Sequence, residues 1–171
     1  MRLLHAFVFV VFAALQLAPA QAQAQDQWRE FKSDADGFSV QMPATPTISA
    51  RRIGTGEATQ TTFVIDQGPV AYLVSLIQLE KGKVPAKPDQ AYYQNLMKNY
   101  AEGSKTKIRT TRMATLAGKP AMEGIADDGD AAHVVYLTAA GDKVWMVVYV
   151  GKKGQENGAD ATLFRTTFKL L

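Results

Sequence analysis

Cysteine is absent from the 171 residues, and histidine occurs only twice. The first absence removes disulfides, thiolate nucleophiles, cysteine-ligated zinc and the thioether anchor of bacterial lipoproteins. Stability must then come from packing and backbone hydrogen bonding. Of the histidines, His5 sits in an apolar N-terminal stretch, so His133 is the one imidazole of the remaining chain, too few for a histidine-rich metal site. Excess charge is also scarce: 19 Lys and Arg against 16 Asp and Glu give +3, which does not suggest a nucleic-acid partner. Beyond the N-terminus no apolar run approaches membrane-spanning length.

What the N-terminus does have is Arg2, a largely apolar run from Leu3 to Leu17, and small residues at Ala20, Ala22 and Ala24. These are the parts of a secretory signal peptide, and the run is too short to span a bilayer. The expectation is a cleaved leader over 1–24, removed after Ala20, Ala22 or Ala24, and a single α+β domain over 25–171. That domain would be soluble and periplasmic or secreted. It would have no transmembrane segment and one positive charge fewer than the full chain.

The densest apolar stretch is Ala131 to Val150, two β-rich runs around Ala140-Gly141-Asp142. It predicts a hairpin. In the second arm Val144, Met146, Val148 and Val150 share one face, and Trp145, Val147 and Tyr149 the other. With no polar face, this strand should be covered on both sides, most simply by helices. Val70 to Leu79 has the same two-sided character and is the second candidate central strand. An earlier hairpin is expected from Trp28–Lys32 and Phe38–Met42 around Asp34–Gly37, ended by Pro43 and Pro46. Thr47 to Thr55, with Arg51-Arg52, reads as an edge segment, and Glu57 to Asp66 as a strand.

Helical periodicity occurs twice. In Asp89–Glu102, Tyr92, Leu96 and Tyr100 stand at i, i+4 and i+8, with Tyr93 and Met97 beside them. Pro88 suits the first turn, and Gly103 the C-terminal cap. Around 159–168, Ala161, Phe164 and Phe168 share a face, with Asn157 or Asp160 as the cap. One helix for each sheet face gives an α+β fold: an antiparallel β-sheet covered by helices on both faces, an α/β/α sandwich.

Several ordered segments carry a resemblance. They are Asp34-x-x-Gly37-Phe38-Ser39-Val40-x-Met42-Pro43 with Pro46, and Leu116-Ala117-Gly118-Lys119-Pro120-Ala121-x-Glu123. The hairpin from Tyr136-Leu137-Thr138 to Trp145–Tyr149 and the closing Phe164–Leu171 complete them. Together they resemble small exported bacterial proteins of unknown function with the PsbP-like fold. That resemblance covers nearly all of residues 25–171 and implies the same helix-covered antiparallel sheet. PsbP itself is an accessory protein of photosystem II, but the matching residues are turn and packing residues, so no photosynthetic role follows.

Chemistry-bearing patterns are sparse. No serine sits in a Gly-x-Ser-x-Gly elbow, and nothing singles out a pair of carboxylates. Asp34-Ala35-Asp36-Gly37 resembles part of a calcium loop, but Lys32 stands where the leading aspartate belongs and Pro43 where the closing glutamate belongs. Asp127-Asp128-Gly129-Asp130 also has too few spaced ligands. Both read as turns, no metal or other cofactor is expected, and no glycine-rich run cradles phosphate. The surface candidates are His133 and a basic strip of Lys105, Lys107, Arg109 and Arg112, read as cations along a strand. The expected function is non-catalytic: binding another macromolecule, most simply a protein, in an envelope process. The alternative is a small-molecule or lipid-binding module using a cleft between the tyrosine-bearing helix and the sheet. A hydrolase built on an acidic pair and His133 ranks third.

Overall fold

The computed structural model describes residues 28–54 and 58–171; the expected signal peptide and its cleavage positions lie outside these residues. Within them the chain is α+β, with two antiparallel sheets and two helices. β1 (Arg29–Ser33) and β2 (Phe38–Met42) form the first hairpin, with Phe31 opposite Val40. The larger, seven-stranded sheet contains β3 (Thr47–Ile53), β4 (Ala58–Asp66), β5 (Ala71–Gln78), β6 (Lys107–Leu116), β7 (Lys119–Asp128), β8 (Ala131–Ala140) and β9 (Lys143–Lys152). Its spatial order is β3-β4-β5-β9-β8-β7-β6. Helix α1 (Gln90–Ser104) links β5 to β6, and α2 (Ala159–Thr167) follows β9. After α2, Lys169–Leu170 forms β10, which pairs with Ser39 and Phe38 of β2 and completes the three-stranded sheet.

The two apolar runs occupy the middle of the large sheet as the two-faced pattern requires. β9 pairs with β8 through the two-residue turn Gly141-Asp142, and with β5 from Ala71↔Val150 to Gln78↔Lys143. Gly141 supplies the positive φ of that turn. On one face, Tyr72, Val74, Leu76, Val134, Tyr136, Trp145, Val147 and Tyr149 pack with Phe38, Val40, Met42, Phe164 and Phe168. On the other, Val135, Leu137, Val144 and Val148 pack with Tyr93, Met97 and Met122.

The cover differs from the expected helix on each face. α1 lies against β6, β7 and β8 on one side. The opposite side is covered jointly by the three-stranded sheet and by α2, which buries Ala161 and Phe164. The physical reason is length: α2 spans only nine residues, so the hairpin of β1 and β2 supplies the rest of the apolar cover. Burying an aromatic such as Phe164 contributes about 1.5–3 kcal/mol, comparable with each of the aromatic residues that β2 and its neighbours add.

Both helices end differently from the sequence expectation. Asp89 is the N-cap of α1, its Oδ1 accepting from the Tyr92 N–H at 2.8 Å, so Pro88 precedes the helix rather than opening it. Gly103 lies inside the last turn, and Lys105 takes the left-handed capping conformation at φ 57°. Its N–H bonds back to the Glu102 carbonyl. The N-cap of α2 is Gly158, without a side-chain cap from Asn157 or Asp160. The face of α1 buried on the sheet is Tyr93, Met97 and Ala101, turned by one residue from the Tyr92, Leu96, Tyr100 stripe.

Candidate functional site: a cleft beside the long helix

That rotation of α1 opens a cleft. Because Tyr93, Met97 and Ala101 seat the helix over β6–β8, the same face of β3, β4, β5 and β9 lies beyond its edge. Leu96 and Tyr100 then point along the open side. They form one wall of a cleft of about 560 Å³, together with Asn99, Gly103 and Ser104. Its floor is Ile77 of β5, Leu137 of β8, and Val144 and Met146 of β9. Arg51 and Ile53 of the edge strand β3 and Gln60 of its neighbour β4 close the far side.

Gly124 permits this seating. A Cβ at this position would stand 2.5 Å from Cε and 2.6 Å from Sδ of Met97, so the Met97 side chain occupies the space that a side chain at 124 would fill. Tyr93 anchors the other end of the helix by donating its hydroxyl to the Pro120 carbonyl at 2.9 Å. Burial pushes the Tyr93 hydroxyl above its ordinary pKa.

The polar groups of the cleft are concentrated at Arg51. Its Nε and Nη2 both donate to Oε1 of Gln60, at 3.0 and 2.9 Å, directly across the β3–β4 ladder. Gln60 in turn donates Nε2 to Oγ of the fully buried Ser75 at 2.8 Å. A chain of neutral partners thus orients the guanidinium. No carboxylate pairs with it among the described residues.

His133 lies one hydrogen bond from the cleft. Its Nδ1 is 2.6 Å from the Tyr100 hydroxyl, and the two rings meet edge to face. Burial lowers the imidazole pKa below 6.5, while Asp128 acts in the opposite direction. Burial likewise raises the Tyr100 hydroxyl well above its usual range. Both groups are therefore held neutral at pH 7, joining the end of α1 to β8.

The four basic residues expected along one strand are divided between the end of α1 and β6. Lys105 caps α1 and stands outside β6, which begins at Lys107. A bulge shifts the register between Ile108 and Thr110, which reverses the alternation along β6 beyond it. Arg109 and Arg112 therefore reach the same face, opposite α1, and both meet carboxylates there. Arg109 bonds Asp127 at 2.6 Å and Glu156 at 2.9 Å, with Lys153 a further 3.6 Å from Asp127. Arg109 hydrogen bonding holds the Asp127 carboxyl below its ordinary value. Arg112 bonds both oxygens of Glu123, at 2.9 and 2.8 Å. Tyr136 also donates to Glu123 at 2.5 Å, and Arg165 of α2 donates to the Tyr136 oxygen at 2.9 Å. Burial alone would raise the Glu123 carboxyl, but the hydrogen bonds from Arg112 and Tyr136 outweigh it and the pKa falls below 4.5. This network braces β6, β7, β8 and α2.

The two acidic turns are similarly engaged. Ser33 Oγ donates to Asp36 at 2.5 Å, and the Asp36 carbonyl accepts from Trp145 Nε1 at 3.3 Å. Sequence reasoning pointed to the helix–sheet cleft but missed Arg51 and Gln60 as its polar pair. The available signal was strand alternation, which puts Arg51 and Ile53 on one face of β3. Their cross-strand partner depends on a register no local pattern specifies.

The class defined by this geometry is an α+β domain with a central antiparallel sheet, and comparison with solved structures gives it a more particular form. The solution structure of cyanobacterial PsbP (CyanoP) from Synechocystis sp. PCC 6803 is similar with a TM-score of 0.56 at 8% identity, over 85% of this chain and 93% of that one. The chain has a PsbP-like fold. A crystal structure from Bacteroides thetaiotaomicron aligns at a TM-score of 0.39 and 14% identity, over 85% of this chain and 49% of that one. No protein-family model matches the sequence, and no curated protein does.

Proposed function

We propose that the protein is a non-catalytic, exported binding domain whose ligand is a small molecule with an apolar body, held in the cleft between α1 and the sheet. The observation that carries this reading is the lining of the cleft. Ile53, Ile77, Leu79, Leu96, Leu137, Val144 and Met146 provide an apolar surface, and Arg51, Gln60, Asn99, Tyr100 and Ser104 provide the polar groups. Concave, largely apolar sites with a small number of placed polar groups are the usual form of small-ligand sites. Among the described residues, none that lines the cleft is a carboxylate or an imidazole, which supports retention over acid–base chemistry. Export is supported by the leader pattern of residues 1–24.

The test pairs ligand capture with a blocked cleft. Protein purified from cells expressing the full chain is analysed by native mass spectrometry and titrated with an environment-sensitive apolar dye. A Met146→Arg variant places a charge on the half-buried floor. The expected result is saturable dye binding in the parent and none in the folded variant. Equal binding by both proteins would refute the site. N-terminal sequencing of the periplasmic or secreted fraction should begin after Ala20, Ala22 or Ala24.

A macromolecular partner is the second reading, favoured by the edge strand β3. Each of its residues except Ile53 is exposed, with Ile48 55% exposed, so its outer edge can accept a strand from another chain. In vivo crosslinking from position 48 tests it: a discrete crosslinked partner supports this reading, and no product from a folded, exported protein opposes it.

A further inference from the structure

We propose that the cleft selects an anionic amphiphile, specifically one with a single alkyl chain and a carboxylate head held by Arg51. The proposal rests on the cleft being a ligand site and adds the chemical class of the ligand. Three features of the molecule carry it.

First, among the described residues the cleft lining contains one formal charge, and that charge is positive. Second, the guanidinium is oriented before any ligand arrives. Gln60 takes Nε and one N–H of Nη2, and Ser75 fixes Gln60; both N–H groups of Nη1 and the second of Nη2 have no partner among the described residues. Those remaining donors form the planar fork that a carboxylate fits with two parallel hydrogen bonds. Third, the partner already present is a neutral amide. Arg109 and Arg112 are compensated by Asp127, Glu156 and Glu123 on the opposite face, whereas Arg51 keeps its net charge among the described residues.

The apolar part of the ligand has a defined place. Ile53 stands two residues from Arg51 on the same face of β3, and Ile77 and Val144 are directly paired across the β5–β9 ladder. For a chain leaving the guanidinium, the rest of the lining offers Met146, Leu137, Leu96 and Tyr100. A single cation suits a monoanion. A carboxylate satisfies it without leaving a second negative charge unpaired beside the apolar floor.

Protein from the full chain is titrated calorimetrically with dodecanoate, dodecanol and dodecyl phosphate, all below their micellar concentrations, alongside an Arg51→Met variant that retains an apolar stem. The expected result is dodecanoate binding tighter than dodecanol in the parent. Arg51→Met should weaken dodecanoate by about tenfold to a hundredfold, the range of a charge-assisted pair, and leave dodecanol unchanged. Equal affinity for the acid and the alcohol, or dodecanoate binding unaffected by Arg51→Met, would overturn the head-group assignment and leave the cleft reading standing. Dodecyl phosphate binding tenfold tighter than dodecanoate would overturn the carboxylate class. Failure of all three amphiphiles to bind would remove both readings.

Discussion

Replacing Gly124 with alanine puts the seating of α1 to a quantitative test. The added methyl would stand 2.5 Å from Met97 Cε and 2.6 Å from Sδ, far inside ordinary contact. Forcing a methyl into a packed site costs about 1–3 kcal/mol. Against this, alanine restricts the unfolded chain and returns about 0.4–1 kcal/mol, since Gly124 is not in the left-handed region. The clashing atoms are the end of a flexible side chain, so relief by a strained Met97 rotamer keeps the cost in the lower part of its range. The net expectation is a loss of about 0.5–1 kcal/mol, read by urea unfolding followed through tryptophan fluorescence. The control is the same change in a Met97→Ala background, which by itself costs about 2–5 kcal/mol because Met97 is fully buried. There Gly124→Ala meets open space and should stabilise by about 0.4–1 kcal/mol, giving a coupling near 1.5 kcal/mol. Equal effects in both backgrounds, with coupling under about 0.5 kcal/mol, would refute the steric account.

Further changes test the surrounding structure. Tyr136→Phe removes one of the donors to Glu123 and leaves Arg165 without that acceptor, so it should cost about 1–3 kcal/mol in the same unfolding assay. Asp89→Ala should cost about 1 kcal/mol through loss of the α1 cap, and Asp89→Asn much less. Two pH windows should separate. Glu123 has a folded pKa below 4.5, so its stabilisation is present above that value and is lost as pH falls through the folded pKa. Glu123→Gln should flatten the stability profile there. His133 has a folded pKa below 6.5, so the unfolded chain takes up its proton first and stability declines as pH falls below 6.5. His133→Gln should remove that decline, and an imidazole titrating above 6.5 by NMR would contradict it.

Strands whose signal is local were legible in the sequence, and features depending on a distant partner were not. The β8–β9 hairpin follows from its turn and two-faced alternation, and the two helices from their 3.6-residue periodicity. The face of α1 was shifted by one residue because Tyr92, Leu96 and Tyr100 are as apolar as Tyr93, Met97 and Ala101. The face that is buried includes Met97, which fills the space left by Gly124, a residue that carries no apolar label. β10 was missed because two residues have no period, and its pairing with Ser39 and Phe38 comes from the opposite end of the described chain. The arrangement of the basic run was not legible because a single bulged residue in β6 changes which side chains share a face. The cleft was foreseen as a place but not as a composition, since Arg51, Gln60 and Ser75 meet only through the register of β3, β4 and β5.

The order of the large sheet has a kinetic consequence. β3-β4-β5 and β6-β7-β8-β9 are each consecutive meanders, so most ladders join near neighbours, and one seam, β5 to β9, joins the two halves. Local meanders can form early, whereas the seam must close the longer span that contains α1. The cleft floor straddles this seam, with Ile77 on one half and Val144 and Met146 on the other. A molecule seated there would clasp the two halves. Its principal effect on the folding reaction should be slower unfolding, with the refolding rate nearly unchanged.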